Sequence, residues 1–107
     1  MIEVGKCYKT TSFNGTVYIF RVKDFTIKKV TGWSRNEVNE YYFIDVEIGF
    51  LIEDNDSGIK KLKHSVMKHI ETEFIEIEEK DMDKLVHYYN IMEQSFNSII
   101  NNPKTTR

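Results

Sequence analysis

From Tyr42 to Ile52 the chain alternates: Tyr42, Ile44, Val46, Ile48, Phe50 and Ile52 are apolar, with Asp45, Glu47 and Gly49 among the residues between them. A period of two places one set of side chains on one face of a strand and the rest on the other, so residues 41–54 are expected as a strand with one buried and one wet face. Upstream, TVYIFRVKDFTIKKV carries Tyr18, Phe20 and Val22 on one face and Val17 and Ile19 on the other. That reads as a long strand, bent and covered on both sides. Asn14-Gly15 just before it predicts a hairpin with a type I′ turn, which needs positive φ at both central residues. KCYKT is then the first strand, EDNDSG (53–58) a second turn, IKKLKHSVM a fourth strand and TEFIEIEE a fifth.

After residue 80 the period changes. Met82, Leu85, Val86, Tyr89, Met92, Phe96, Ile99 and Ile100 recur at three and four, the spacing of one helix face. A helix is expected over 81–101, with Asp81 as N-cap, Asp83 in the first turn, and Pro103 ending it. The fold class that follows is α+β: a five-stranded curled antiparallel sheet or small barrel, of the Tudor or OB kind, with one C-terminal amphipathic helix. It is expected as a single domain over 1–102, with strands across about 4–78 and a frayed tail at 103–107.

Composition narrows the setting. A chain of 107 residues with 40% hydrophobic and 30% charged residues can bury one core without metal or disulfide. No apolar run reaches the roughly 18 residues of a membrane span, and the N-terminus lacks a leader pattern. With a single cysteine, Cys7, a reducing cytoplasmic location is expected. Alanine is absent, while Ile, Lys and Asn abound. Alanine is the best helix former, so its absence points to AT-rich coding, as in a low-GC bacterium or its phage. Net charge is −2, unevenly spread: residues 1–70 hold eleven Lys/Arg against nine Asp/Glu, and residues 71–107 hold four against eight.

Catalytic and metal patterns are weak. Counted back from Gly58, calcium-loop spacing places Glu53, Asn55 and Ser57 as early ligands and His64 where a bidentate glutamate belongs. The first and last ligands fail, so the segment reads as a turn. His64, His69 and His87 show no paired spacing, Cys7 reads as a small core residue, and no serine sits in a Gly-x-Ser-x-Gly elbow. Asp45 and Glu47 share a strand face about 7 Å apart, a pattern equally produced by solvation. No enzyme activity, cofactor or metal is expected.

Binding is the better-supported class. Trp33, the only tryptophan, lies in the polar stretch TGWSRNEVNE (31–40) with Arg35 two residues on. Trp and Arg are enriched at interface hot spots, and loops on a rigid scaffold commonly carry binding. The leading expectation is a non-enzymatic module that occludes another protein, for example a host defence system. Its contact would use Trp33, Arg35, Tyr41, Phe43, Asp45 and Glu47. Glu76, Glu78 and Glu79 offer an acidic surface able to mimic a phosphate backbone. One alternative is single-stranded nucleic acid on Lys28, Lys29, Lys60, Lys61 and Lys63, stacking bases on aromatic rings. Another is a pocket protein holding a small nucleotide at an oligomer interface.

Overall fold

The computed structural model describes residues 1–32, 37–53, 58–62 and 65–101, with side chains as far as Gln94. The chain divides into two compact units, Met1–Ile77 and Glu78–Arg107.

The first unit is an open antiparallel sheet. Its strands are β1 (Cys7–Thr11), β2 (Val17–Thr31), β3 (Val38–Ile52), β4 (Ile59–Lys61), β5 (Val66–His69) and β6 (Ile75–Ile77). The order is β4-β3-β2-β1-β6, with β5 also paired to β3. The β2–β3 ribbon is its spine, running from Val17 opposite Ile52 to Thr31 opposite Val38. Its pairing slips twice: Arg21 faces Ile48 but Val22 faces Val46, and the next pair is Asp24 with Asp45. Glu47 and Lys23 are thus each left over, on opposite strands. Extra residues of this kind bend a strand and raise its twist.

The bend explains why the predicted fourth strand divides in two. β4 pairs with Phe50–Ile52 at one end of β3, and β5 pairs with Tyr41–Ile44 at the other. After β4, Leu62 keeps to the same edge, donating its N–H to the Gly49 carbonyl at 2.8 Å. Gly49 accommodates this because a Cβ there would stand 2.8 Å from Leu62 Cδ1 and 2.9 Å from Val46 Cγ1.

One face of the sheet carries the main core, and Cys7 and Phe50 are buried on the other. Ile2, Tyr8, Phe20, Val22, Tyr42, Ile44 and Val66 are buried together. After β5 the chain crosses the main-core face, and Thr10 Oγ1 fixes the crossing by donating to the Glu73 carbonyl at 2.9 Å. Phe74 then lies edge-on to Tyr8, Phe20 and Tyr42, with centroids 6.2, 6.3 and 5.6 Å away. Such T-shaped pairs match the positive ring edge to the negative ring face. β6 finally pairs with β1.

Several expectations are corrected. Among the described residues the sheet is open rather than a Tudor- or OB-like barrel: β4 and β6 end the strand order without pairing each other. Among the described residues six strands stand where five were expected. The Asn14-Gly15 hairpin is present, but only Gly15 has positive φ (88°), so the turn is not type I′. Gly15 N–H donates to the Ser12 carbonyl and Ser12 N–H to the Thr16 carbonyl. That is the longer hairpin in which a type I turn is followed by a left-handed glycine. β3 begins at Val38, so Val38, Asn39 and Glu40 belong to a strand rather than to the 31–40 loop.

The second unit is the helix α1 (Glu79–Asn101). It starts two residues before the expected point, so Asp81 is not its N-cap. Glu79 and Asp81 occupy the first turn, where the helix dipole favours anions. Met82 is buried and Leu85, Val86, Tyr89 and Met92 are half-buried, reproducing the three-and-four spacing. Among the described residues no helix is long and apolar enough to cross a membrane.

Candidate functional site

Beyond the bend, β2 and β3 present one face to the core and the other to solvent. The cross-strand pairs Asp24–Asp45, Thr26–Phe43 and Lys28–Tyr41 belong to the outer face, because Tyr42 and Ile44 between them are buried on the inner one. β5 widens this outer face, setting Met67 beside Phe43 and His69 beside Tyr41. Lys28 Nζ lies 5.2 Å from the Phe43 centroid, a cation–π contact. The Tyr41 and His69 rings meet edge-on at 5.3 Å. His69 Nδ1 accepts the Glu71 N–H at 3.0 Å, leaving Nε2 to donate to Asn39 Oδ1 at 3.3 Å. Both ring nitrogens are thereby engaged in hydrogen bonds. Met67 is 55% exposed, and Phe43 and Tyr41 are half-buried.

The predicted rim therefore holds together in part. Tyr41, Phe43 and Asp45 share this face, with Asp45 Oδ1 accepting from Ser65 Oγ at 3.0 Å. Glu47 lies at the slip in pairing and is tied to Arg21, 2.9 Å from its Nη1. This hydrogen bond raises the already high pKa of the guanidinium. Trp33 and Arg35, the expected anchors, lie outside the described residues. At the end of the β2–β3 ribbon, Gly32 N–H donates to the Glu37 carbonyl at 2.8 Å.

The two basic clusters are not brought together. Lys28 and Lys29 pair opposite Tyr41 and Glu40, whereas Lys60 and Lys61 pair opposite Leu51 and Phe50. Nine residue steps along β3 lead from Tyr41 to Phe50, about 30 Å measured along the strand. Lys60 is moreover 3.3 Å from Glu53 Oε2. Lys63 and His64 lie outside the described residues, as do Asn55 and Ser57 of the calcium-like segment. Of the acidic residues, Glu76 lies 3.6 Å from Lys6, Glu78 lies 3.2 Å from Lys80, and Glu79 opens the helix. Among the described residues no group of three His, Cys, Asp or Glu side chains could hold a metal. Cys7 is buried, as a small core residue would be.

Two features were missed by sequence reasoning. Phe13, on the hairpin turn, is fully exposed. A phenylalanine inside Ser-Phe-Asn-Gly has no core to face, and that was the available signal. A cleft of about 330 Å³ lies beside Tyr18, Leu62, Met67, Lys61 and Lys68. Lys68 Nζ sits 3.9 Å from the Tyr18 ring centroid and donates to Ser12 Oγ at 3.1 Å. Burial lowers its pKa. No sequence pattern marks that cleft, because the division of β4 from β5 creates it.

No protein-family model, curated protein or solved structure matches this chain.

Proposed function

We propose that this chain is a non-enzymatic protein-binding module acting by occlusion, with the outer face of the β2–β3–β5 sheet as its contact surface. The observation that carries the reading is the make-up of that face. Half-exposed Tyr41 and Phe43, exposed Met67, and Lys28 stacked on Phe43 form a mixed aromatic, aliphatic and cationic platform. Its strands are held rigid by the core on their other side. Aromatic rings and methionine are enriched at interface centres, and preorganised strands lose little entropy on docking. Trp33 and Arg35, which lie outside the described residues, add from the sequence alone the two residue types most common at hot spots. The roughly 30 Å of strand between the basic clusters counts against a continuous groove for single-stranded nucleic acid, which would need both.

The test is quantitative capture of a partner from a low-GC bacterial lysate by wild type, Phe43→Ser, Met67→Lys, Trp33→Ala and Phe13→Ser. The reading expects at least a tenfold loss for Phe43→Ser and Met67→Lys at an unchanged melting temperature, with Phe13→Ser as a neutral control. Capture indifferent to both face variants would overturn it. So would tight oligonucleotide binding that weakens steeply with salt.

A further inference from the structure

We infer that the free edge of β2 is a self-association site: two copies of the chain pair antiparallel along Lys23–Thr31 about a two-fold axis at Ile27. β1 occupies the edge of β2 only as far as Val22, whose N–H donates to the Lys6 carbonyl and whose carbonyl accepts from Gly5 N–H. From Lys23 to Thr31, β3 pairs one edge, and among the described residues no strand pairs the other. A nine-residue edge, about 30 Å long, is a template for strand addition unless something blunts it.

The edge also carries apolar side chains that a second strand would cover. Ile27 is 38% exposed and Val30 37%, and Phe25 is only half-buried although it belongs to the core face. Lysines are the usual block on strand addition. Here Lys28 is drawn over the Phe43 ring on the outer face, rather than reaching past the edge.

The register follows from the limits of the edge. β1 blocks pairing before Lys23, and β2 ends at Thr31. Two full edges therefore overlap only when their midpoint, Ile27, lies on the two-fold axis. An axis normal to the sheet keeps the faces matched, so residues of like face meet across it. Ile27 then faces Ile27 of the second copy, Thr26 faces Lys28, Phe25 faces Lys29, Asp24 faces Val30 and Lys23 faces Thr31. No like charges stand directly opposite. On the outer face Asp24 lies diagonal to Lys28 of the other copy, within reach of a lysine side chain, and on the inner face Lys23 lies diagonal to Lys29, so the register is favoured by its overlap rather than by charge. The inner-face pairs cover Phe25 and Ile27, the poorly covered end of the core. The outer faces of both copies come to lie on one side, doubling the platform built on Phe43. The inference stands apart from the protein-binding reading, since neither needs the other.

A contact of this length is at the small end of specific interfaces, so dissociation on the order of 10–100 μM is expected. Sedimentation equilibrium of the full chain between 5 and 500 μM should show a monomer–dimer transition. Ile27→Lys puts two cations on the axis and should leave a monomer throughout, with the melting temperature of dilute wild type. Ile27→Cys should form a disulfide-linked dimer under mild oxidation. Thr26→Cys should not, since its sulfurs would belong to Cα atoms about 8 Å apart in this register, beyond disulfide reach. The inference is overturned by a chain that stays monomeric at 500 μM, by an Ile27→Lys variant that still dimerises, or by cross-linking at Thr26→Cys in preference to Ile27→Cys.

Discussion

Asp24 and Asp45 stand directly opposite each other across the β2–β3 ribbon, the first pair to form after the pairing slips. Each carboxylate has found a local donor: Asp24 Oδ1 accepts the Phe25 N–H at 2.8 Å, and Asp45 Oδ1 accepts from Ser65 Oγ. The register nonetheless sets two acidic residues opposite each other on an exposed face. Opposed charges of one sign on neighbouring strands destabilise. Asp45→Asn keeps the acceptor for Ser65 and removes the repulsion. It should raise stability by about 0.2–1 kcal/mol at low salt, and the gain should fade towards 1 M salt as screening removes it. Denaturant melts at two ionic strengths check both parts. A loss of stability would show that the second carboxylate is structurally required.

At the other side of the slip, Arg21 Nη1 and Glu47 Oε2 are 2.9 Å apart. The arginine is largely covered while Glu47 is half-exposed, so the pair is screened by water on one side. Glu47→Gln, which can still accept a hydrogen bond, should cost no more than about 1 kcal/mol. Equilibrium unfolding measures this, and a much larger loss would mean that the pair sets the register of the bend.

Gly49 marks the closest packing in the sheet. A methyl group there would meet Leu62 Cδ1 at 2.8 Å, Val46 Cγ1 at 2.9 Å and Phe20 Cβ at 3.0 Å. Phe20 is wholly buried and cannot move away, so Gly49→Ala should destabilise by about 1–3 kcal/mol. Leu62→Val makes room at one of the three contacts. The double variant should therefore lose less than the sum of the single losses, which a double-mutant cycle of thermal melts would show.

The strands were legible where a period of two is strong. The alternation from Tyr42 to Ile52 placed β3 and its buried residues Tyr42 and Ile44, but not a single buried face, since the slip at Glu47 turns Ile48, Phe50 and Ile52 away from the side of Tyr42, Ile44 and Val46; Asn14-Gly15 placed the first hairpin. The helix face from Met82 to Met92 was equally plain. Barrel closure was not legible, because strand patterns state which face is buried and not whether the outer strands meet. Nor was the double slip at Lys23 and Glu47, since both are polar residues in polar positions and fit either register. The division of β4 from β5 follows from that bend and was hidden with it. Of the candidate site, Tyr41, Phe43 and Asp45 followed from alternation alone. Met67, His69 and the lysine on Phe43 depend on which strands become neighbours, which the pattern does not encode.

Lys68 provides a test by pH. Its ammonium lies over Tyr18 and donates to Ser12 Oγ, and among the described residues no carboxylate pairs with it. Burial lowers its pKa from the ordinary 10.5. Below the lowered value the group is charged both folded and unfolded, and the folded state bears the full desolvation cost. Above the ordinary value it is neutral in both, and that cost is gone. Between the two the unfolded chain binds more protons, so this residue's contribution to stability rises with pH. Wild type compared with Lys68→Met from pH 8 to 11 should isolate that rise, since all other titrating groups are common to both. The methionine variant should gain on wild type at pH 8 relative to pH 11. A direct check is the NMR titration of the Lys68 ε-methylene, whose midpoint should fall below 10.5. A midpoint at or above that value would mean that the contacts to Tyr18 and Ser12 outweigh burial.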